Sequence, residues 1–199
     1  LSSLQYVRDD LWIENNTELT NLNGLNNIKT IGNSFHIVGN SILINISSLS
    51  NLTSIGSYLK VSNNTLLPNI NGLNGLTSLT SLTISGNNSL TNLDGLNNMK
   101  NITEDLIINA NASITNIDFL NNLTTTFVKK VGVYANSNLT NINGLSKITK
   151  TNNLNISQNA LLTNLNGVHN ITSIGTLGTT FEGGVVLYIA YNNSLNSIQ

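Results

Sequence analysis

Few residues in this sequence are of a type to do chemistry, and their spacing decides what they can do. Histidine occurs twice, at His36 and His169, enough for an acid-base pair only if the fold brings the two together. Asp94 and Asp118 stand in matching contexts, Leu-Asp-Gly-Leu and Ile-Asp-Phe-Leu. Two carboxylates held close can take Ca²⁺ or share a proton. Cysteine is absent, which excludes disulfides, thiolate nucleophiles and cysteine-ligated metals. No metalloprotease HExxH, P-loop or nucleophile-elbow pattern occurs. The N-glycosylation signal, Asn followed two residues later by Ser or Thr, occurs twelve times: at Asn15, Asn45, Asn51, Asn63, Asn87, Asn101, Asn111, Asn122, Asn138, Asn155, Asn170 and Asn192. With 40 Asn and 43 Ser plus Thr in 199 residues, composition alone generates most of these. Their place in the fold must therefore select among them.

That place follows from a repeat of about 24 residues. Eight apolar-x-apolar triplets recur: Leu11-Trp12-Ile13, Phe35-His36-Ile37, Leu59-Lys60-Val61, Leu82-Thr83-Ile84, Leu106-Ile107-Ile108, Val131-Gly132-Val133, Leu154-Asn155-Ile156 and Leu187-Tyr188-Ile189. We count the last residue of each triplet as phase 0. Apolar residues then return at phases 6, 9, 12, 15 and 18, as in Leu19, Leu22, Leu25, Ile28 and Ile31, or Leu90, Leu93, Leu96, Met99 and Ile102. A spacing of three matches neither the 3.6 of an amphipathic helix nor the 2 of a strand; it fits extended or 3₁₀-like arcs wound about a core. The triplets have the strand period, with their outer residues pointing in and the middle one out. Stacked in parallel at about 4.8 Å, eight of them predict a single β-solenoid over residues 1–199, roughly 40 Å long.

Phase 3 is Asn in every coil: Asn16, Asn40, Asn64, Asn87, Asn111, Asn136, Asn159 and Asn192. A buried turn leaves backbone groups without partners, and a stacked amide can donate to one coil and accept from another, so this column reads as an internal Asn ladder. Phase 8 carries a second Asn column, Asn21, Asn45, Asn69, Asn92, Asn116, Asn141 and Asn164. Phase 11 is Gly at Gly24, Gly72, Gly95, Gly144 and Gly167, where the backbone turns tightly or approaches its neighbour.

The phases assign the chemical candidates. His36 is the outward middle of a triplet and His169 lies at phase 13, on the order of 24 Å away along the stack, so they form no dyad. The chain is expected to be non-catalytic and without a cofactor. Asp94 and Asp118 share phase 10 in adjacent coils, a column otherwise of Asn and Ser, and are the one weak metal candidate. The sequons at Asn87, Asn111 and Asn192 belong to the ladder and are expected bare. Asn51, Asn122 and Asn170 share phase 14 between inward residues and, with Asn15 and Asn63, are the expected glycan carriers. The outward sheet face presents Trp12, His36, Lys60, Tyr134 and Tyr188 as a candidate binding face. Extra residues between Ile174 and Leu187 predict an inserted loop at 175–184, with Phe181 as a contact residue at its tip.

The segment Leu79-x-x-Leu82-x-Ile84-x-x-Asn87-x-x-Leu90 resembles the leucine-rich repeat consensus. Ile55-Gly56-x-x-Leu59-x-Val61-x-Asn63-Asn64, followed by Asn71-Gly72-Leu73, is similar to the receptor L-domain branch of it. The resemblance spans essentially the whole chain and implies a right-handed coil that serves as a scaffold or recognition surface. Only 9% of residues are charged and the net charge is −1, so the basic footprint that holds nucleic acid or an anionic membrane is missing. The longest apolar run, Val185 to Tyr191, is far short of the roughly 18 residues of a membrane span. Leu1, Leu4 and Val7 fall on phases 12, 15 and 18, and Ile198 and Gln199 on phases 9 and 10, so neither end carries a capping unit. The expectation is a secreted or cell-surface scaffold glycoprotein carrying N-linked glycans. Its coils either stack end to end with other copies, as a filament or surface layer, or continue into flanking repeats of a longer chain. The alternative is a ligand-recognition ectodomain for a protein or glycan.

Overall fold

A computed structural model describes residues 1–175 and 187–198. Most of the predicted loop at 175–184, with Phe181, lies outside the described residues.

Strands at Leu11–Glu14, Phe35–Val38, Tyr58–Ser62, Ser81–Ser85, Asp105–Asn109, Phe127–Tyr134, Lys150–Ser157 and Leu187–Ala190 carry the eight triplets. They pair in parallel, each with the next, and always at equal phase. The inward residues Leu11, Phe35, Leu59, Leu82, Leu106, Val131, Leu154 and Leu187 thus form one row. A one-residue slip would turn every such side chain outward, so burial fixes the register.

The chain leaves each strand through a turn and crosses the far side of the core in short arcs. Short 3₁₀ helices at Ser47–Leu49, Asn71–Leu73, Asp94–Leu96, Asp118–Asn122, Asn143–Lys147 and Asn166–Val168 all open at phase 10. With three residues per turn, this conformation keeps every third side chain on one side, which is the physical origin of the spacing read from the sequence. The phase 8 Asn starts each helix: Asn45, Asn69, Asn92, Asn116, Asn141 and Asn164 accept the backbone N–H two residues on, at 2.8–3.2 Å. At phase 11, a Cβ on Gly144 would overlap the carbonyl of Ile117 in the preceding repeat, so only glycine permits the approach. Two-residue strands follow, Tyr6–Val7 with Thr30–Ile31 and Ser54–Ile55, then Ser78–Leu79 with Asn101–Ile102.

One apolar core runs the length of the array, with phases −2, 0, 6, 9, 12, 15 and 18 buried through its middle. Among the described residues there is no α-helix. The arrangement fits a parallel β-solenoid.

The Asn ladder is present and its direction is defined. The side chain of Asn111 accepts the backbone N–H of Asn87 at 3.1 Å and donates to the Ile84 carbonyl at 3.0 Å, both in the preceding repeat. It also donates to the Asn109 carbonyl of its own repeat at 3.0 Å and to Oδ1 of Asn136 in the next at 3.3 Å. The pair of bonds reaching backward repeats for Asn40, Asn64, Asn87, Asn136, Asn159 and Asn192. Both atoms of each amide are satisfied, which burial at 0% exposure for Asn40 through Asn159 requires.

Candidate binding face

Equal-phase pairing lines up the outward middle residues Trp12, His36 and Lys60 on neighbouring strands. Trp12 and His36 stack face to face, with ring centroids 5.3 Å apart and planes at 3°. Tyr58, which the triplet pattern passes over because it precedes its triplet, meets His36 edge-on at 5.4 Å. Glu14 closes the cluster, its Oε1 lying 3.3 Å from His36 Nδ1. His36 is held on three sides, and its buried Nε2 has no hydrogen-bond partner. Trp12 stays 61% exposed, so the cluster offers an open indole over a fixed imidazole.

Tyr134 and Tyr188 do not join this cluster. Tyr134 lies beside Gly132, where an added Cβ would press on its ring and on Ile107 Cδ1. Tyr188 pairs with Asn155 at the far edge of the sheet. The face is therefore an aromatic group at one edge, Thr83, Ile107 and Gly132 with Tyr134 between, and Tyr188 at the other edge.

The remaining candidates stand apart. His169 belongs to the opposite side of the coil, where Nδ1 meets the Asn166 carbonyl. Asp94 and Asp118 are exposed and open consecutive 3₁₀ helices, but no third His, Cys, Asp or Glu joins them among the described residues. Asn51, Asn122 and Asn170 are exposed, yet each Nδ2 donates at 2.7–2.8 Å to a backbone carbonyl of the preceding repeat. Asn27 and Asn98 do the same, so phase 14 is an outer Asn row that the sequence reading treated as free. On the flank, Lys129 Nζ donates to Glu104 Oε2 at 2.6 Å. This hydrogen bond and the charges of Glu104 and Asp105 raise the Lys129 pKa above the ordinary lysine value.

A further column is visible only in three dimensions. Phase 2 takes a left-handed backbone in every repeat: Asn15, Gly39, Asn63, Gly86, Ala110, Ala135, Gln158 and Tyr191 have φ between 54° and 69°. It is the corner that turns the chain from the strand into the ladder. Asn15 Oδ1 lies against Gly39, and Asn63 Oδ1 against Gly86.

Comparison of the chain with family models, curated proteins and solved structures finds no match.

Proposed function

We propose that this chain is a right-handed solenoid of eight coils, of the leucine-rich-repeat type closest to receptor L domains. In this reading it is a non-catalytic, extracellular or cell-surface scaffold glycoprotein whose coils stack end to end with copies of itself. The observation that carries the reading is the ladder itself, in which every interior rung bonds to the rung before it and the rung after it through one repeated set of contacts. One further rung of the same phase takes up the same contacts. Apolar side chains reinforce the match, with Trp12 61% exposed at one edge and Leu187 49% exposed at the other. Flanking repeats of a longer chain would use the same edges.

Electron microscopy of the purified chain tests this. Stacking predicts fibres with an axial repeat of about 40 Å, from eight coils at about 4.8 Å. Leu187→Asp with Tyr188→Asp is expected to disperse them while the circular dichroism of the array persists. A folded monomer at every concentration refutes stacking.

A second reading, a ligand-recognition ectodomain for a protein or glycan, is favoured by the Trp12, His36 and Tyr58 cluster. Trp12 is the only tryptophan, so its fluorescence reports directly on any ligand that settles on the indole.

A further inference from the structure

Twelve sequons and forty asparagines leave open which side chains can carry a glycan once the array has folded. An N-linked sugar replaces one of the two hydrogens on Nδ2 and needs open space beside it, so what that nitrogen does and how far the residue is buried decide together. At Asn87, Asn111 and Asn192 it is a buried ladder donor to the preceding repeat. At Asn51, Asn122 and Asn170 it is exposed but spans two repeats, ending on the carbonyls of Asn26, Asn97 and Ser146. Asn101 and Asn155 are half-buried, their Oδ1 atoms taken by the hydroxyls of Thr125 and Ser157.

Four sequons remain. Asn15, Asn45, Asn63 and Asn138 are exposed, and among the described residues none has Nδ2 in a hydrogen bond. Each freedom has a structural cause. Asn45 belongs to the phase 8 column, in which Asn21, Asn92, Asn116 and Asn164 donate Nδ2 to a threonine hydroxyl one residue back; Ile44 stands there instead and offers no acceptor. Asn15 and Asn63 sit at the left-handed corner, with Oδ1 turned onto a glycine of the next repeat. Asn138 lies at phase 5, between the inward residues Asn136 and Leu139, and faces solvent.

We propose that N-linked glycans are carried by Asn15, Asn45, Asn63 and Asn138, and not by the phase 14 row. All four lie between phases 2 and 8, on the turn that leaves the principal sheet. The chain then has one glycosylated flank, while the flank of two-residue strands and the outward sheet face stay bare. This rests on the extracellular reading, and it replaces Asn51, Asn122 and Asn170 as glycan carriers. The transferase meets an unfolded chain, in which all twelve sequons look alike. Folding does the selecting, because a sugar on an amide tied to the preceding repeat leaves Nδ2 a single hydrogen and holds the glycan against that repeat, which disfavours the folded, exported molecule.

The test is to secrete the full chain from a cultured eukaryotic line and to measure occupancy at each sequon by peptide mass spectrometry on the folded fraction. Occupancy at the four sites is expected to exceed that at Asn51, Asn122 and Asn170 by about ten-fold, the equilibrium equivalent of losing one inter-repeat hydrogen bond. If the native sequence is retained in the cell, Ser89→Ala, Ser113→Ala and Ser194→Ala remove the three ladder sequons while keeping every ladder Asn, and the same comparison is made on that variant. Equal or higher occupancy on the phase 14 row, or bare Asn63 and Asn138, overturns the proposal. Native material bare at every sequon, alongside recombinant protein carrying the four, removes the extracellular reading and leaves the site assignment standing.

Discussion

Replacing Asn111 by alanine tests the central idea of the fold, that a buried amide column bonds each repeat to its neighbours. The truncation leaves the backbone N–H of Asn87 and the carbonyl of Ile84 without their side-chain partner in a dry interior. Asn87 Nδ2 keeps its bond to the Val61 carbonyl, and Asn136 Oδ1 keeps the Asn111 backbone N–H, so these are not stranded. Each stranded buried group costs roughly 1–3 kcal/mol, which places Asn111→Ala at about 2–6 kcal/mol. That is a large share of the 5–15 kcal/mol typical of a domain. The matched control is Asn116→Ala, a half-buried Asn that loses its bond to the Asp118 N–H and a long one to the Thr115 hydroxyl, together worth about 1 kcal/mol. Urea unfolding followed by far-ultraviolet circular dichroism gives both values. Because stability in a repeat array is a sum over neighbouring units, a broadened or two-step transition for Asn111→Ala also counts as support. If its midpoint shifts no more than that of Asn116→Ala, the ladder is not what holds the repeats together.

Gly144→Ala, which drives a Cβ into the Ile117 carbonyl, is expected to cost more than about 2 kcal/mol by thermal denaturation. Gly24→Ala meets no atom and carries only the left-handed penalty, so it is expected to cost about 1 kcal/mol in the same assay. Ala135→Gly at φ 57° relieves that penalty at the phase 2 corner and is expected to raise the melting temperature; a fall would contradict the strain assigned there. Lys129 has a raised pKa, so its pairing with Glu104 contributes fully below the ordinary lysine pKa and fades as pH rises through the elevated one. Accordingly Lys129→Met is expected to flatten the stability profile above the ordinary lysine range and leave its shape below pH 9 unchanged, as read from urea midpoints across pH.

Leucines at every third position and an Asn at every phase 3 were legible because burial constrains both side-chain type and spacing. The Gly at phase 11 was legible in part: at Gly72, Gly95, Gly144 and Gly167 a Cβ would overlap a carbonyl of the preceding repeat, whereas Ser48 and Phe119 occupy the same phase in other coils. The left-handed corner was not. Its occupants run from Gly39 to Tyr191 because the strand and the ladder on either side impose the conformation, and stacking overrides the local preference of Ala110 or Gln158. The outer row was missed on different grounds: phase 14 holds exposed asparagines, and exposure alone does not reveal that an amide spans two repeats. The aromatic face was legible at Trp12 and His36. Tyr58 escaped because it lies outside the triplet, and only the pairing of Tyr58–Ser62 with its neighbours brings it to the imidazole.

The backward reach of every ladder amide gives the molecule a sense of direction. Synthesis proceeds from the N-terminal side, so a newly emerged repeat meets one already laid down. It arrives with the carboxamide that completes that older repeat, while its own backbone N–H waits for the repeat after it. The backbone N–H of a rung is thus completed only by the repeat that follows it in the sequence, which gives each interface of the array two unlike sides.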